Sequence, residues 1–272
     1  MMVSYLPTNI KDALELRSQK SVVPYGGGTD LMIEAEKNIS YLFLHKVPEM
    51  KKIKEADDFI HIGASCTFTE VAKNPLCPPI LKDAIEQIAA PAIRNMGTIG
   101  GNIGNGSPKA DTALVFFATD AKLRLMSKDN ERIIPIKSFY KGKKQLDLKS
   151  DELIVEVLFP KAALGNYYYQ KVGARKALAI SRISFAGLLK MENDIIVNCA
   201  TAFGAVSDVV IRREDIDALF IGKTINEAKT LKEAYLKAYD EAIVPIRGRV
   251  SEAYRKDVCM NLLKDFLNIN GI

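Results

Sequence analysis

Seventeen glycines are spread over 272 residues, yet five of them, Gly97, Gly100, Gly101, Gly104 and Gly106, fall within ten positions. They lie in the stretch Arg94-Asn-Met-Gly-Thr-Ile-Gly-Gly-Asn-Ile-Gly-Asn-Gly-Ser-Pro-Lys-Ala-Asp111. Such a concentration needs a cause. Without a Cβ, a chain can take positive φ and bring its N–H groups up to a bulky anion, and a diphosphate is the natural guest. A second loop of the same kind, Val23-Pro-Tyr-Gly26-Gly27-Gly28-Thr29-Asp30, follows the strand-like Val22-Val23 and precedes an apolar segment beginning at Leu31. Taken singly, each loop also fits a tight turn. Taken together, they can wrap one ligand. Neither matches the G-x-x-x-x-G-K-[ST] phosphate loop, nor G-x-G-x-x-G followed by an acidic residue in a clean βαβ unit.

Around these loops the pattern is mixed α and β. Thr8 can cap a helix running through Leu14 and Leu16, and Tyr41 to Val47 is a short apolar run. Ile80 to Ala90 places Leu81, Ala84, Ile85, Ile88 and Ala89 on one helical face. Ala121 to Leu125 alternates with period two, and Leu153 to Phe159 is a continuous apolar run, so both predict strands. Past Tyr167 the elements lengthen. Ile183 to Met191 and Ile195 to Ala205 flank the polar turn Glu192-Asn193-Asp194, which predicts an antiparallel hairpin. Thr224-Ile-Asn-Glu227 is a capping box, and Tyr254, Val258, Leu262 and Phe266 predict the buried face of a last helix.

Composition excludes several functions. Hydrophobic residues at 48% and charged ones at 26% are those of a globular chain, and no apolar run approaches the ~20 residues a spanning helix needs. The N-terminus lacks a basic leader followed by an apolar stretch, so a cytoplasmic protein is expected, without membrane association. The formal charge of +5 is interleaved with acids, and Lys141-Gly-Lys-Lys144 reads as an exposed loop, so nucleic acid is not an expected partner. Four scattered cysteines with no C-x-x-C pair, and only two histidines (His45 and His61, both in strand-like runs), predict neither an iron–sulfur cluster nor a metal site. Ser107, Ser181, Ser184 and Ser207 have no neighbouring histidine to activate them as nucleophiles. Asp57-Asp58 reads as a solvated turn.

The loops themselves, Tyr25-Gly-Gly-Gly-Thr-Asp-Leu31 and Ile93 to Asp111, resemble the two FAD-binding signatures of the flavoprotein (medium) subunit of molybdenum hydroxylases, the xanthine dehydrogenase and carbon monoxide dehydrogenase family. Asp151-Glu-Leu-Ile154, Tyr168-Tyr-Gln-Lys171 and Ser251-Glu-Ala-Tyr254-Arg255 are similar to that family's later landmarks. Two departures stand out: Tyr25 occupies a position where the family usually has a small residue, and Ala177-Leu-Ala179 replaces a stretch that often includes an acid.

The resemblance implies an α+β chain. A PCMH-type FAD-binding region of two α/β subdomains would occupy residues 1–165 (about 1–57 and 58–165), and an α+β domain with an antiparallel sheet and helices, of the carbon monoxide dehydrogenase flavoprotein type, residues 166–272. Noncovalent FAD would extend in the cleft between them. Carried over position by position, Val23, Pro24, Tyr25, Gly26, Gly27, Gly28, Thr29 and Asp30, with Thr98, Ile99, Gly100, Gly101 and Asn102, would hold the diphosphate, mainly through backbone N–H groups and the Thr29 and Thr98 hydroxyls. Asp111 would be a polar contact to FAD, and Ile154 and Lys171 would lie near the flavin ring; Lys171 reads equally well as a surface lysine on a strand. The implied function is electron transfer from 2Fe–2S clusters on a small partner subunit through FAD to NAD+ or another acceptor, with the oxidised substrate at a molybdenum cofactor in a large partner subunit. Two other readings keep the fold: an assembly module without a redox role, and a self-sufficient flavin oxidoreductase. A flavin absorption spectrum separates the first from the electron-transfer reading, and dye-linked NADH oxidation without partners tests the second.

Overall fold

The computed structural model describes residues 3–33 and 38–272, in two compact units. The first comprises Met1–Pro78, Ala89–Ser107 and Asp120–Lys161; the second, Pro79–Ile88, Pro108–Thr119 and Ala162–Ile272. Of the apolar segment read from Leu31, the described part, Leu31 to Ile33, is a turn, and its continuation lies outside the described residues.

In the first unit, a five-stranded antiparallel sheet runs in the order Ile53–Ala56, Phe59–Gly63, Leu153–Pro160, Lys122–Met126, Glu131–Pro135. Its middle strand is buried from Leu153 to Phe159, which is why that stretch reads as continuously apolar rather than alternating. Asp57, at φ 50°, turns the chain between the first two strands. A subdomain boundary near 57 would therefore cut a hairpin, because Ile53–Ala56 belongs to the same sheet as the strand after it. A smaller parallel pair joins Val23–Tyr25 to Tyr41–Phe43, with Tyr25 opposite Phe43. The first helix is Ile10–Gln19, and its N-cap is Asn9 rather than Thr8: the Asn9 side chain accepts from the Asp12 N–H at 2.8 Å.

The second unit is built on a four-stranded antiparallel sheet, Asn166–Val172, Ile183–Glu192, Ile195–Gly204 and Ile211–Arg212 in that order. The hairpin forms as expected, with Asn193 and Asp194 both at positive φ in its turn. Ile183, Phe185 and Leu189 join one apolar cluster with Phe203, Tyr239, Leu263 and Phe266 of the last strands and helices. Period two leaves Ser184, Ala186 and Leu188 for the opposite face, which Asp111–Ala118 covers, a helix with every residue buried. Helix Pro79–Glu86 packs on that helix and on strand Asn166–Val172. It is shorter than its sequence pattern, and Ala89 turns back at φ 41°.

Helix Ile225–Ala242 opens on the Thr224/Glu227 capping box. Helix Glu252–Ile269 buries Arg255, Cys259, Leu262, Leu263, Phe266 and Leu267, while Tyr254 is 43% exposed. A strict spacing of four drifts around a helix of 3.6 residues per turn, so the buried face leaves Tyr254 outside it. Among the described residues no helix is long and apolar enough to cross a membrane.

Candidate functional site

The two glycine loops, 72 positions apart, meet in the first unit, and they meet backbone to backbone. A Cβ on Gly26 would stand 2.5 Å from Thr98 Oγ1 and 3.5 Å from Gly101 Cα. One on Gly27 would overlap the Met96 carbonyl and come within 2.8 Å of Gly97 Cα. Only glycine allows that approach. The Asn105 side-chain amide donates to the Asp30 carboxylate, which ties the two loops together at their far ends.

Their amides are used differently. Ile99 N–H donates to Cys66 O at 3.0 Å, Gly100 N–H to Ala64 O at 2.8 Å, Gly101 N–H to Thr98 Oγ1 at 3.1 Å and Asn102 N–H to Thr98 O at 2.9 Å. The N–H groups of Gly26, Gly27, Gly28, Thr29 and Asp30 meet no acceptor among the described residues. Gly28 holds φ 70°, which turns the loop. The structure therefore brings the two loops together, and it leaves backbone N–H groups without acceptors among the described residues at 26–30. Thr98 is buried and its hydroxyl caps the short helix Ile99–Gly104; the Thr29 hydroxyl makes no hydrogen bond among the described residues.

Buried groups adjoin the second loop. Ile154 is buried on the central strand, with its Cδ1 against Gly104. The start of that strand is fixed by Glu152, whose carboxylate takes two 2.8 Å hydrogen bonds from Arg132 and one from the Lys149 N–H; these, the Arg132 bond first, hold it below the usual glutamate range. Burial pushes the Cys66 thiol up to about 12, so it carries no thiolate at neutral pH.

Asp111 and Lys171 lie in the second unit, bonded to each other. The Lys171 ammonium donates to Asp111 Oδ2 at 2.7 Å and to the Gln87 carbonyl at 2.9 Å, and both side chains of the pair are only 7% exposed. Lys171 is thus not a surface lysine. Ser181 donates to the other Asp111 oxygen at 2.6 Å. Burial pushes the Asp111 carboxyl up and Lys171 opposes the shift; burial beside Asp111 raises the Tyr169 phenol strongly, keeping it neutral. Ser181, 70 positions from Asp111, carries no local sequence signal for this role. Asn105 and the carbonyls of Ala64, Cys66 and Met96 were equally silent as site components.

Comparison with known proteins gives a consistent result. Residues 1–162 match the family model for the FAD binding domain in molybdopterin dehydrogenase, and residues 167–269 that for the CO dehydrogenase flavoprotein C-terminal domain. The xanthine dehydrogenase FAD-binding subunit of Escherichia coli O157:H7 is 30% identical over 254 residues, 89% of this chain and 86% of that protein. The nicotinate dehydrogenase FAD-subunit of Eubacterium barkeri is 28% identical over 276 residues, 96% and 93% of the two chains. Among solved structures, a chain of carbon monoxide dehydrogenase from Hydrogenophaga pseudoflava shares the fold with a TM-score of 0.88 at 23% identity, covering 97% of this chain and 95% of that one.

Proposed function

Because this chain belongs to the family of FAD-binding medium subunits of the molybdenum hydroxylases, an oxidoreductase family, we propose that it is the electron-transfer subunit of such an assembly. It would take electrons from 2Fe–2S clusters on a small partner subunit and pass them to NAD+ or another acceptor. A large partner subunit with the molybdenum cofactor would oxidise the substrate. Relatives named for xanthine and for nicotinate share this subunit, which supports a substrate site elsewhere in the assembly.

The observation that carries the reading is the run of N–H groups from Gly26 to Asp30 with no acceptor among the described residues. Gly26 to Thr29 are half-buried and Asp30 is exposed; leaving half-buried donors unmet is unfavourable, and a diphosphate supplies acceptors of the right charge without displacing any existing bond. The residues present fit FAD on that ground. Bound FAD supplies the chemistry, accepting electrons singly and giving them as a pair. The chain's own residues orient and hold it. Residues 26–30 would donate to the diphosphate, and Gly97 and Gly101 would let the donor loop close by offering backbone without side chains. Ile154 would present an apolar surface. Asp111 and Lys171 neutralise each other within the second unit.

Gly101→Val tests this. Gly101 is exposed, and a side chain there would stand 2.9 Å from Thr98 Oγ1 and 4.0 Å from the Gly27 nitrogen, in the path of the ligand rather than in the core. The wild-type chain should take up FAD and show its absorption; the variant should not, while keeping its circular dichroism spectrum. Normal FAD uptake by the variant would falsify the loop assignment.

A further inference from the structure

We infer that the Tyr25 side chain is a further cofactor-binding group, its phenol O–H donating to the diphosphate alongside the amides of residues 26–30. The inference rests on the FAD reading above and adds a side-chain hydroxyl to it. Tyr25 is the last residue of strand Val23–Tyr25, and the strand register sets it opposite Phe43. Its ring lies 4.7 Å from Phe43, tilted, and 5.7 Å from Tyr41, edge to face. These neighbours fix its direction, since an aromatic ring held on two sides has few other rotamers.

That direction is over the loop. A Cβ built on Gly28 would meet Tyr25 Cε2 at 2.8 Å and would come nearer still to Cζ and Oη. The phenol thus takes the space a side chain at position 28 would fill, and its hydroxyl stands against the backbone of the glycine that turns the loop. Tyr25 Oη makes no hydrogen bond among the described residues. The loop whose turn it covers carries the N–H groups of Gly28, Thr29 and Asp30, also without acceptors among the described residues, and a ligand with several acceptor oxygens would meet both the phenol O–H and these amides. A phosphate oxygen accepts an O–H more strongly than a neutral group does.

The experiment uses the full chain freed of cofactor and titrated with FAD, followed by flavin fluorescence. Tyr25→Phe keeps the ring and removes the donor. Its Kd should rise about tenfold, its unfolding midpoint should stay that of the wild type, and phosphorus NMR of the bound FAD should show a shifted diphosphate resonance. Tyr25→Ala should bind at least as weakly. If Tyr25→Phe binds FAD as the wild type does, with unchanged phosphorus resonances, the hydroxyl is not a ligand and the inference is overturned, whatever Tyr25→Ala does. Gly101→Val separates the two levels. When it abolishes binding and Tyr25→Phe does not weaken it, only the Tyr25 role falls; when it binds normally, the loop reading and the Tyr25 role fall together.

Discussion

Between Gly26 and Asp30 the backbone N–H groups meet no acceptor among the described residues, whereas from Ile99 to Asn102 each one is already satisfied within the protein. Both segments are rich in glycine, and the residue serves different ends in them. In the second segment it removes side chains where another backbone comes near, as Gly101 does beside the Gly27 nitrogen. In the first it also lets the chain turn at Gly28 and leaves donors exposed along the turn. A glycine-rich signature therefore does not mark amides that bind. It marks places where backbone comes close to something, which can be a ligand or another loop.

The largest expected effect lies where the second signature ends, at Asp111, which answers to the buried Lys171 ammonium. Asp111→Asn would leave Lys171 charged and without a counter-ion, at a cost of about 3 kcal/mol in urea unfolding. A loss below about 1 kcal/mol would mean that the pair is solvated. Next comes Gly27→Ala, which sets a methyl against the Met96 carbonyl and should lower stability by about 2 kcal/mol as well as FAD affinity, since the two backbones must part. Unchanged binding and stability together would show that the loops do not touch.

Paired threonine variants sharpen the contrast further. Thr98→Val removes a helix cap and should cost about 1 kcal/mol of stability. Thr29→Val, which breaks no bond among the described residues, should leave the thermal midpoint alone and weaken FAD binding, as read by fluorescence titration. Equal stability losses in both would erase the distinction between scaffold and donor loop.

The smallest effect at neutral pH is electrostatic. Glu152 titrates below the usual glutamate range in the folded chain, chiefly because Arg132 bonds its carboxylate. Its contribution is therefore complete above about pH 4.3 and is lost as the pH falls through the lowered folded value. Unfolding midpoints should be flat in this respect from pH 6 to 8 and fall in acid. Glu152→Gln should flatten that acid limb, and an unaltered limb would place the dependence on other carboxylates.

Short-range features were largely legible in the sequence. The hairpin around Asn193-Asp194, the Thr224/Glu227 box and the buried strand Leu153–Pro160 all follow from local rules, because turns, caps and burial on both faces each leave a mark within a few residues. Tyr254 shows where such rules weaken: spacing by four names a helix but not which of two adjacent stripes its neighbours cover. The candidate site was legible as two loops. Which of them keeps its amides open was not, since Ala64, Cys66 and Thr98 as acceptors are set by the fold around residues 99–102 and by nothing in the glycine pattern.

By itself the sequence determined that backbone would come close to something at 26–28 and at 97–106, because a missing Cβ can be read directly from the residue type. Only the tertiary structure decided that these segments face each other, that Lys171 is buried on Asp111 rather than left in solvent, and that the Tyr25 phenol fills the space beside Gly28. Each depends on contacts between residues many positions apart, and a contact of that kind fixes geometry without constraining the identity of the neighbours in sequence.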